Sequence, residues 1–233
     1  MIRLNKYISN AGVCSRREAD TLISTGKIKV NNVIQTELGT KINQNDVVTY
    51  NGRVLKTEKF RYILINKPKN CITTLKDTHN RKTVMHIIEG ACTERVYPVG
   101  RLDRDTTGLL LMTNDGELAN KIAHPSYECE KVYTIEFSKE INTEIIERLK
   151  YQVMLDDGPF KPHKIAKIDN FSVEITIKTG RNRILRRFSE YHGLKIKRLI
   201  RVKMGPIEFS KMKPGQKRQL KEDEILSFQK YFN

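Results

Sequence analysis

The sequence predicts an α+β protein in two parts, and three features of its patterning predict it. Apolar residues recur at helical spacing near the start and switch to strand-like alternation after Gly26. A polar stretch over residues 51–59 then precedes the strong strand signal Tyr62-Ile63-Leu64-Ile65. Beyond that strand, β-like and helix-like segments follow one another in irregular order, which favours an α+β sheet over a doubly wound parallel one.

The first helix is read from Leu4, Tyr7, Ile8 and Ala11, which form one short apolar stripe ended by Gly12. Ser15-Arg16-Arg17-Glu18 has the pattern of a capping box, in which the Ser15 hydroxyl and the Glu18 carboxylate satisfy amide donors at a new helix start. Ala19, Leu22 and Ile23 supply that helix's apolar face, and Gly26 ends it. Ile28 and Val30 alternate with lysines, Asn31-Asn32 reads as a turn, and Val47-Val48 with Tyr50 marks a later strand. Two short helices feeding a small sheet bury little area, so this piece is expected to be a recognition module docked or tethered to something larger. The expected boundaries are 1–52 for the module, 53–60 for a linker and 61–233 for the larger domain. In that domain residues 132–137, 173–177 and 197–202 read as strands, and 116–123, 144–149 and 184–191 as helices.

The 233 residues can form one medium domain, or a medium domain with a small appended module. With 38% hydrophobic and 30% charged residues the chain can build a packed core, which argues against wholesale disorder. Lys and Arg number 43 against 27 Asp and Glu, a formal net charge of +16. Such a surplus points to a polyanionic partner, by default nucleic acid, because each neutralised phosphate releases condensed counterions; the competing reading is a generically basic surface. Residues 1–17 lack the apolar run of a signal peptide, and Leu109-Leu110-Leu111-Met112 is too short to span a bilayer. A cytoplasmic protein, with no membrane partner, is expected. Cys14, Cys71, Cys92 and Cys129 are widely spaced with no CxxC pair, so neither a zinc knuckle nor a disulfide framework is indicated.

The most informative stretch runs from Val99 through Gly100-Arg101-Leu102-Asp103-Arg104-Asp105-Thr106-Thr107-Gly108 into the apolar run and the turn Asn114-Asp115-Gly116. A polar loop entering a buried strand lets a rigid scaffold aim its carboxylates. Taken alone, Asp103 and Asp105 admit three readings: turn and capping carboxylates, a catalytic carboxylate, or Mg²⁺ ligands. The metal reading is weakened because no further acidic cluster appears and His79, His86, His124, His163 and His192 are scattered. A second candidate begins at Arg181, from which nine Lys or Arg stand against one acid, Glu190, up to Lys203. Arg181, Arg183, Arg186 and Arg187 enter a helix-like segment and either meet phosphates and a cleft or decorate a solvated basic helix. Tyr133 reads as a strand aromatic, or as a base-stacking residue if it faces a cleft.

Together these residues resemble a known family. Gly100-Arg101-Leu102-Asp103-x-Asp105-Thr106-x-Gly108-Leu109-Leu110-Leu111, followed by Thr113-Asn114-Asp115-Gly116, is similar to the signature of the RsuA/RluB/RluF type of ribosomal RNA pseudouridine synthases. Asn66-Lys67-Pro68, Glu130-Lys131-x-Tyr133 and Gly180-Arg181-Asn182-Arg183-x-x-Arg186-Arg187 accompany it in the family order. Arg3-Leu4-Asn5-Lys6-Tyr7-Ile8 and Cys14-Ser15-Arg16-Arg17-Glu18-Ala19-Asp20 resemble the two helices of an S4 RNA-binding module. Two positions depart from the family pattern: Asn70 stands where Gly usually follows Lys-Pro-x, and Ile184 where Gln or Glu is common before the cleft arginine.

The resemblance implies an S4-like module joined to a catalytic domain with a mixed, mostly antiparallel sheet and a central cleft. It implies conversion of a uridine in ribosomal RNA to pseudouridine, without cofactor or metal, with Asp103 as catalytic nucleophile; direct attack on C1′ and a glycal-type route both fit. By the same carry-over Tyr133 stacks on the uracil, Arg186 pairs with Asp103, Leu185 lines the substrate pocket and Arg101 touches the displaced strand or a phosphate. Asp105 is expected to hydrogen-bond within its loop. Arg3, Lys6, Ser15, Arg16, Arg17, Lys27, Arg181, Arg183 and Arg187 are expected RNA contacts. The partner is expected to be ribosomal RNA, of the large subunit or its precursor by likeness to the RluB and RluF branches, and the protein a monomer with no DNA partner. The alternatives are a small-subunit target, or a non-catalytic assembly protein in which the S4-like module does the binding.

Overall fold

In a computed structural model that describes residues 1–209 and 211–233, the chain divides into two compact units. One comprises Met1–Arg61 with Thr93–Val96, the other Tyr62–Cys92 with Tyr97–Asn233.

In the first unit the helices Leu4–Asn10 and Arg16–Ser24 bury Leu4, Ile8, Ala19 and Ile23 against Ile28, Ile42 and Val48. The capping box forms as its pattern predicts: the Ser15 hydroxyl accepts from the Glu18 amide at 3.2 Å, and the Ser15 amide donates to the Glu18 carboxylate at 2.8 Å. A four-stranded antiparallel sheet runs Val33–Gln35, Ile28–Val30, Val48–Tyr50, Arg53–Val54. Its first hairpin turns at Asn31 and Asn32, both left-handed (φ 51° and 68°), the pair of conformations a two-residue turn needs to match strand twist. The stretch expected as a linker is structured instead. Arg53–Val54 pairs with Val48–Tyr50, Leu55 packs on the module's core, and the Glu58 amide donates to the Asn10 carbonyl. Polar composition concealed this because an edge strand leaves one face in water, so its side chains read like a loop.

The second unit is built on a mixed sheet ordered Lys164–Lys167, Ser172–Ile177, Lys131–Phe137, Ile196–Met204, Thr107–Thr113, Tyr62–Lys67, Lys217–Gln219. Among the described strands its only parallel ladder joins Ile196–Met204 to Thr107–Thr113, with Ile200 opposite Thr107 and Arg201 opposite Gly108. Gly108 is required there: its φ is +103°, and a Cβ would overlap the Arg201 backbone. Thr107–Thr113 is buried from Gly108 to Thr113 because it has neighbours on both edges and cover on both faces, which is why it reads as a continuous apolar run. Leu109 and Leu111 share one cluster with Leu118 and Ile122 of helix Gly116–Ala123 and with Phe228 of helix Glu222–Tyr231. The helix expected at 144–149 is Thr143–Leu149, capped by Asn142, and that at 184–191 is Ile184–Tyr191. Among the described residues no helix is long and apolar enough to cross a membrane.

Candidate active site

Parallel pairing determines where the site forms. With Ile200 opposite Thr107, the residues just before Thr107 run beside the start of Ile196–Met204, and helix Ile184–Tyr191 arrives from the same side. The Asp103 loop is thereby brought against Arg186, 83 residues later in the chain. The Arg186 Nε donates to Asp103 Oδ2 at 3.3 Å and its Nη2 to the Thr106 hydroxyl at 3.3 Å. Arg183 Nη1 stands 3.9 Å from the same carboxylate oxygen. Asp103 keeps 32% of its side chain exposed, whereas Arg186 keeps 16%, so the acid is held but reachable.

Three contacts shape the loop. The Thr106 amide donates to the Asp103 carbonyl at 3.1 Å, closing a tight turn. Thr73 donates its hydroxyl to the Leu102 carbonyl (2.8 Å) and accepts from the Leu102 amide (3.2 Å). Beneath the turn lies the ammonium of Lys67, fully buried, donating to the carbonyls of Pro68, Arg104 and Thr106 at 3.1, 3.2 and 2.9 Å. Burial pushes the Lys67 ammonium down to about 8, against the opposing pull of groups that include Asp105 and Asp103.

Asp103 opens on a cavity of about 710 Å³ that also takes in Arg101, Tyr133, Arg183, Leu185 and Arg186. Tyr133 is 8% exposed and Leu185 3%, giving apolar surfaces beside the carboxylate; Arg101 is exposed. Ile184, where Gln or Glu is common in the family pattern, is buried in the same wall. Asn70 adopts φ +58°, a left-handed conformation asparagine tolerates, so the turn after Pro68 is kept without glycine. Among the described residues no group of three or more His, Cys, Asp or Glu is placed to hold a metal ion.

Several of the expected residues have partners within the protein. Arg187 forms a bidentate pair with Asp157 at 2.8 and 2.7 Å and donates to the Asn182 carbonyl. Arg181 donates to the carbonyls of Asp157, Gly158 and Pro159 and lies 5.8 Å from the Phe160 ring centre. Both guanidiniums tie the hairpin Val153–Leu155 and Gly158–Phe160 to the chain around helix Ile184–Tyr191, a structural role alongside the RNA contact expected of them. Asp105 makes no hydrogen bond within the loop among the described residues; it is exposed, 3.7 Å from Arg104 Nε. Ser15 uses its hydroxyl oxygen as a helix cap, while Arg3, Arg16, Arg17 and Lys27 are exposed on the first unit and Lys6 is half-buried.

Four residues were given no role from the sequence: Lys67, Thr73, Lys131 and Arg201. Each touches the loop or lines the cavity. Lys67 and Lys131 stood inside motifs and Arg201 inside the basic run up to Lys203, but nothing in the local pattern marked them as desolvated cations, which are uncommon unless paired or satisfied.

The sequence pattern of the family described as RNA pseudouridylate synthase matches residues 61–191, and that of the S4 domain matches residues 2–48. An RNA pseudouridine synthase of Aquifex aeolicus is 42% identical over 230 residues, covering 96% of this chain and 92% of the relative. The ribosomal large subunit pseudouridine synthase B of Bacillus subtilis is 38% identical over 231 residues, covering 97% and 94%. The crystal structure of a pseudouridylate synthase aligns at a TM-score of 0.71 and 27% identity, covering 98% of this chain and all of that one. The chain is thus an enzyme of the RNA pseudouridine synthase family that carries an S4 domain ahead of its pseudouridylate synthase region.

Proposed function

We propose that this enzyme isomerises a uridine of large-subunit ribosomal RNA, or of its precursor, to pseudouridine, with Asp103 as nucleophile and without a cofactor. The observation that carries the reading is the partly exposed Asp103 carboxylate, held by Arg186 at 3.3 Å in a cavity lined by Tyr133 and Leu185. The large-subunit target is supported by the name of the Bacillus subtilis relative.

The reaction breaks the N1–C1′ bond, turns the uracil and forms a C5–C1′ bond. C5 loses a proton and N1 gains one, so no oxidant or second substrate is needed. A carboxylate at C1′ takes the sugar's electrophilic carbon while the base is free, and a closed pocket keeps the base from diffusing away. Asp103 supplies the first group. Tyr133 and Leu185 supply walls between which a flat base fits, and Arg186 fixes the carboxylate's direction. The target nucleotide must leave its stack to reach Asp103, an unstacking cost that Arg101 and Arg183 at the cavity would offset by holding the strand. Arg3, Lys6, Arg16, Arg17 and Lys27 of the S4 domain would hold RNA backbone.

Incubation with large- and small-subunit transcripts tritiated at uridine C5 tests this. Wild type is expected to release tritium from the large-subunit transcript and Asp103→Asn to fall at least about 10³-fold, in line with removal of a nucleophile. Equal release by Asp103→Asn, or release from the small-subunit transcript alone, overturns the corresponding part. Complementation of a deletion strain by Asp103→Ala would instead favour a non-catalytic assembly role.

A further inference from the structure

Beside Tyr133 the same cavity is lined by two buried cations, Lys131 and Arg201, that no carboxylate neutralises among the described residues. Arg201 is 2% exposed and stands directly opposite Tyr133 in the antiparallel ladder. Its Nε donates to the Leu109 carbonyl at 2.7 Å, and its Nη1 lies 3.5 Å from the Tyr133 hydroxyl. Its Nη2 is buried with no hydrogen-bond partner. Lys131, 8% exposed, donates to the Cys129 carbonyl at 3.1 Å. A purely structural role accounts for the Nε bond across two strands. It does not account for a desolvated guanidinium donor left unmade beside a second desolvated cation, an arrangement that costs free energy unless a ligand completes it.

Resting on the reading of Asp103 as the nucleophile for a uridine, we propose that Arg201, with Lys131 beside it, receives a carbonyl oxygen of the target uracil and carries the charge that develops on the base. The charge balance of the reaction motivates this assignment. When the Asp103 carboxylate bonds to C1′ and the N1–C1′ bond breaks, the electron pair leaves with the base, so the negative charge passes from Asp103 to the uracil ring and spreads onto O2 and O4. When C5 then attacks C1′, the carboxylate is released, the C5 proton is lost and N1 is protonated. Between these steps the base is an anion. Preorganised cations in a site closed to water stabilise such developing charge more than the neutral starting base. Burial, and secondarily the nearby Arg201, pushes the Lys131 ammonium down, so this wall is electrostatically poised for an incoming anion. Arg186 faces Asp103 and Arg201 faces Tyr133, so the two guanidiniums serve the two ends of the charge transfer.

The test combines base analogues with a protein variant. RNAs carrying 2-thiouridine or 4-thiouridine at the target position place a poor hydrogen-bond acceptor at O2 or O4 in turn. Conversion is read by nucleoside chromatography at saturating RNA. Wild type is expected to lose about 10- to 100-fold in kcat with one analogue while RNA affinity is unchanged. Arg201→Gln is expected to show a comparable loss on uridine and little further loss with that same analogue, whereas Arg201→Lys retains more activity than Arg201→Gln. Losses that multiply for both analogues, as a merely structural role gives, overturn the inference. Should Arg201→Gln fail to fold, the wild-type series still decides: full kcat with both analogues overturns it. Absence of any tritium release from uridine by wild type is a failure of the underlying reading instead.

Discussion

Asp103 and Arg186 make one contact in which both charge and shape are used. Arg186 reaches Asp103 through Nε and Thr106 through Nη2, a two-point grip that a point charge cannot reproduce. Arg186→Lys is therefore expected to keep RNA affinity and lose about 10- to 100-fold in kcat, measured by tritium release at saturating RNA. Lys67 acts from below. Its charged form is disfavoured by burial, with a folded value of about 8 against 10.5 for the free side chain. Between these two values the unfolded chain holds a proton that the native chain has released. By linkage, stability gains a contribution that rises with pH from about 8 to 10.5, while below 8 the full cost of burying the charge is present. Lys67→Met removes that contribution, so in urea unfolding the stability difference, wild type minus variant, should grow between pH 7.5 and 10; a flat difference would refute it. The loop that bears Asp103 was legible from its motif, but Lys67 was not given a role, because a pattern does not reveal that a lysine's three acceptors come from loop carbonyls.

The elements around the site depend on a few close approaches and ties. Gly108→Ala places a Cβ into the Arg201 backbone at a left-handed φ and strains the parallel ladder between Ile196–Met204 and Thr107–Thr113. A loss of about 2–4 kcal/mol, or failure to fold, is expected in denaturant unfolding. The hairpin at Gly158–Phe160 is held by Arg181 and Arg187, and Arg187 keeps the Asp157 carboxyl below its usual range. Asp157→Ala should lower the melting temperature at neutral pH. It should lower it less in acid, since a depressed carboxyl contributes above its unfolded value and loses that contribution as pH falls through the folded one. The periodicity of helix Ile184–Tyr191 and the apolar run of Thr107–Thr113 were readable because each is a regular element with a buried face or core. The edge strands Arg53–Val54, Lys164–Lys167 and Lys217–Gln219 were not, since side chains mostly in water and two to four residues leave no alternating signal.

For the whole molecule, the charge of +16 sets how RNA binding responds to salt. If Arg16 and Arg17, exposed in the first turn of their helix, each neutralise a phosphate, changing both to Ala should flatten the slope of log affinity against log salt by about 2 while leaving kcat at saturating RNA unchanged. Filter binding from low to moderate salt reads the slope directly. An unchanged slope would remove these two residues from the RNA interface.

By itself the sequence determined the α+β class, the capping box at Ser15, the Asn31-Asn32 turn and the loop bearing Asp103, because each is a local matter of period, cap or turn chemistry. Only the tertiary structure decided which charges meet. Of the four arginines from Arg181 to Arg187, Arg183 and Arg186 turn to Asp103 while Arg181 and Arg187 turn to Asp157. Arg201 and Lys131 became a cationic wall only when distant strands paired in one register. The reason is physical: a guanidinium looks the same in a sequence whether it ends in solvent, on a carbonyl or beside a carboxylate, and only long-range pairing desolvates it and chooses its partner.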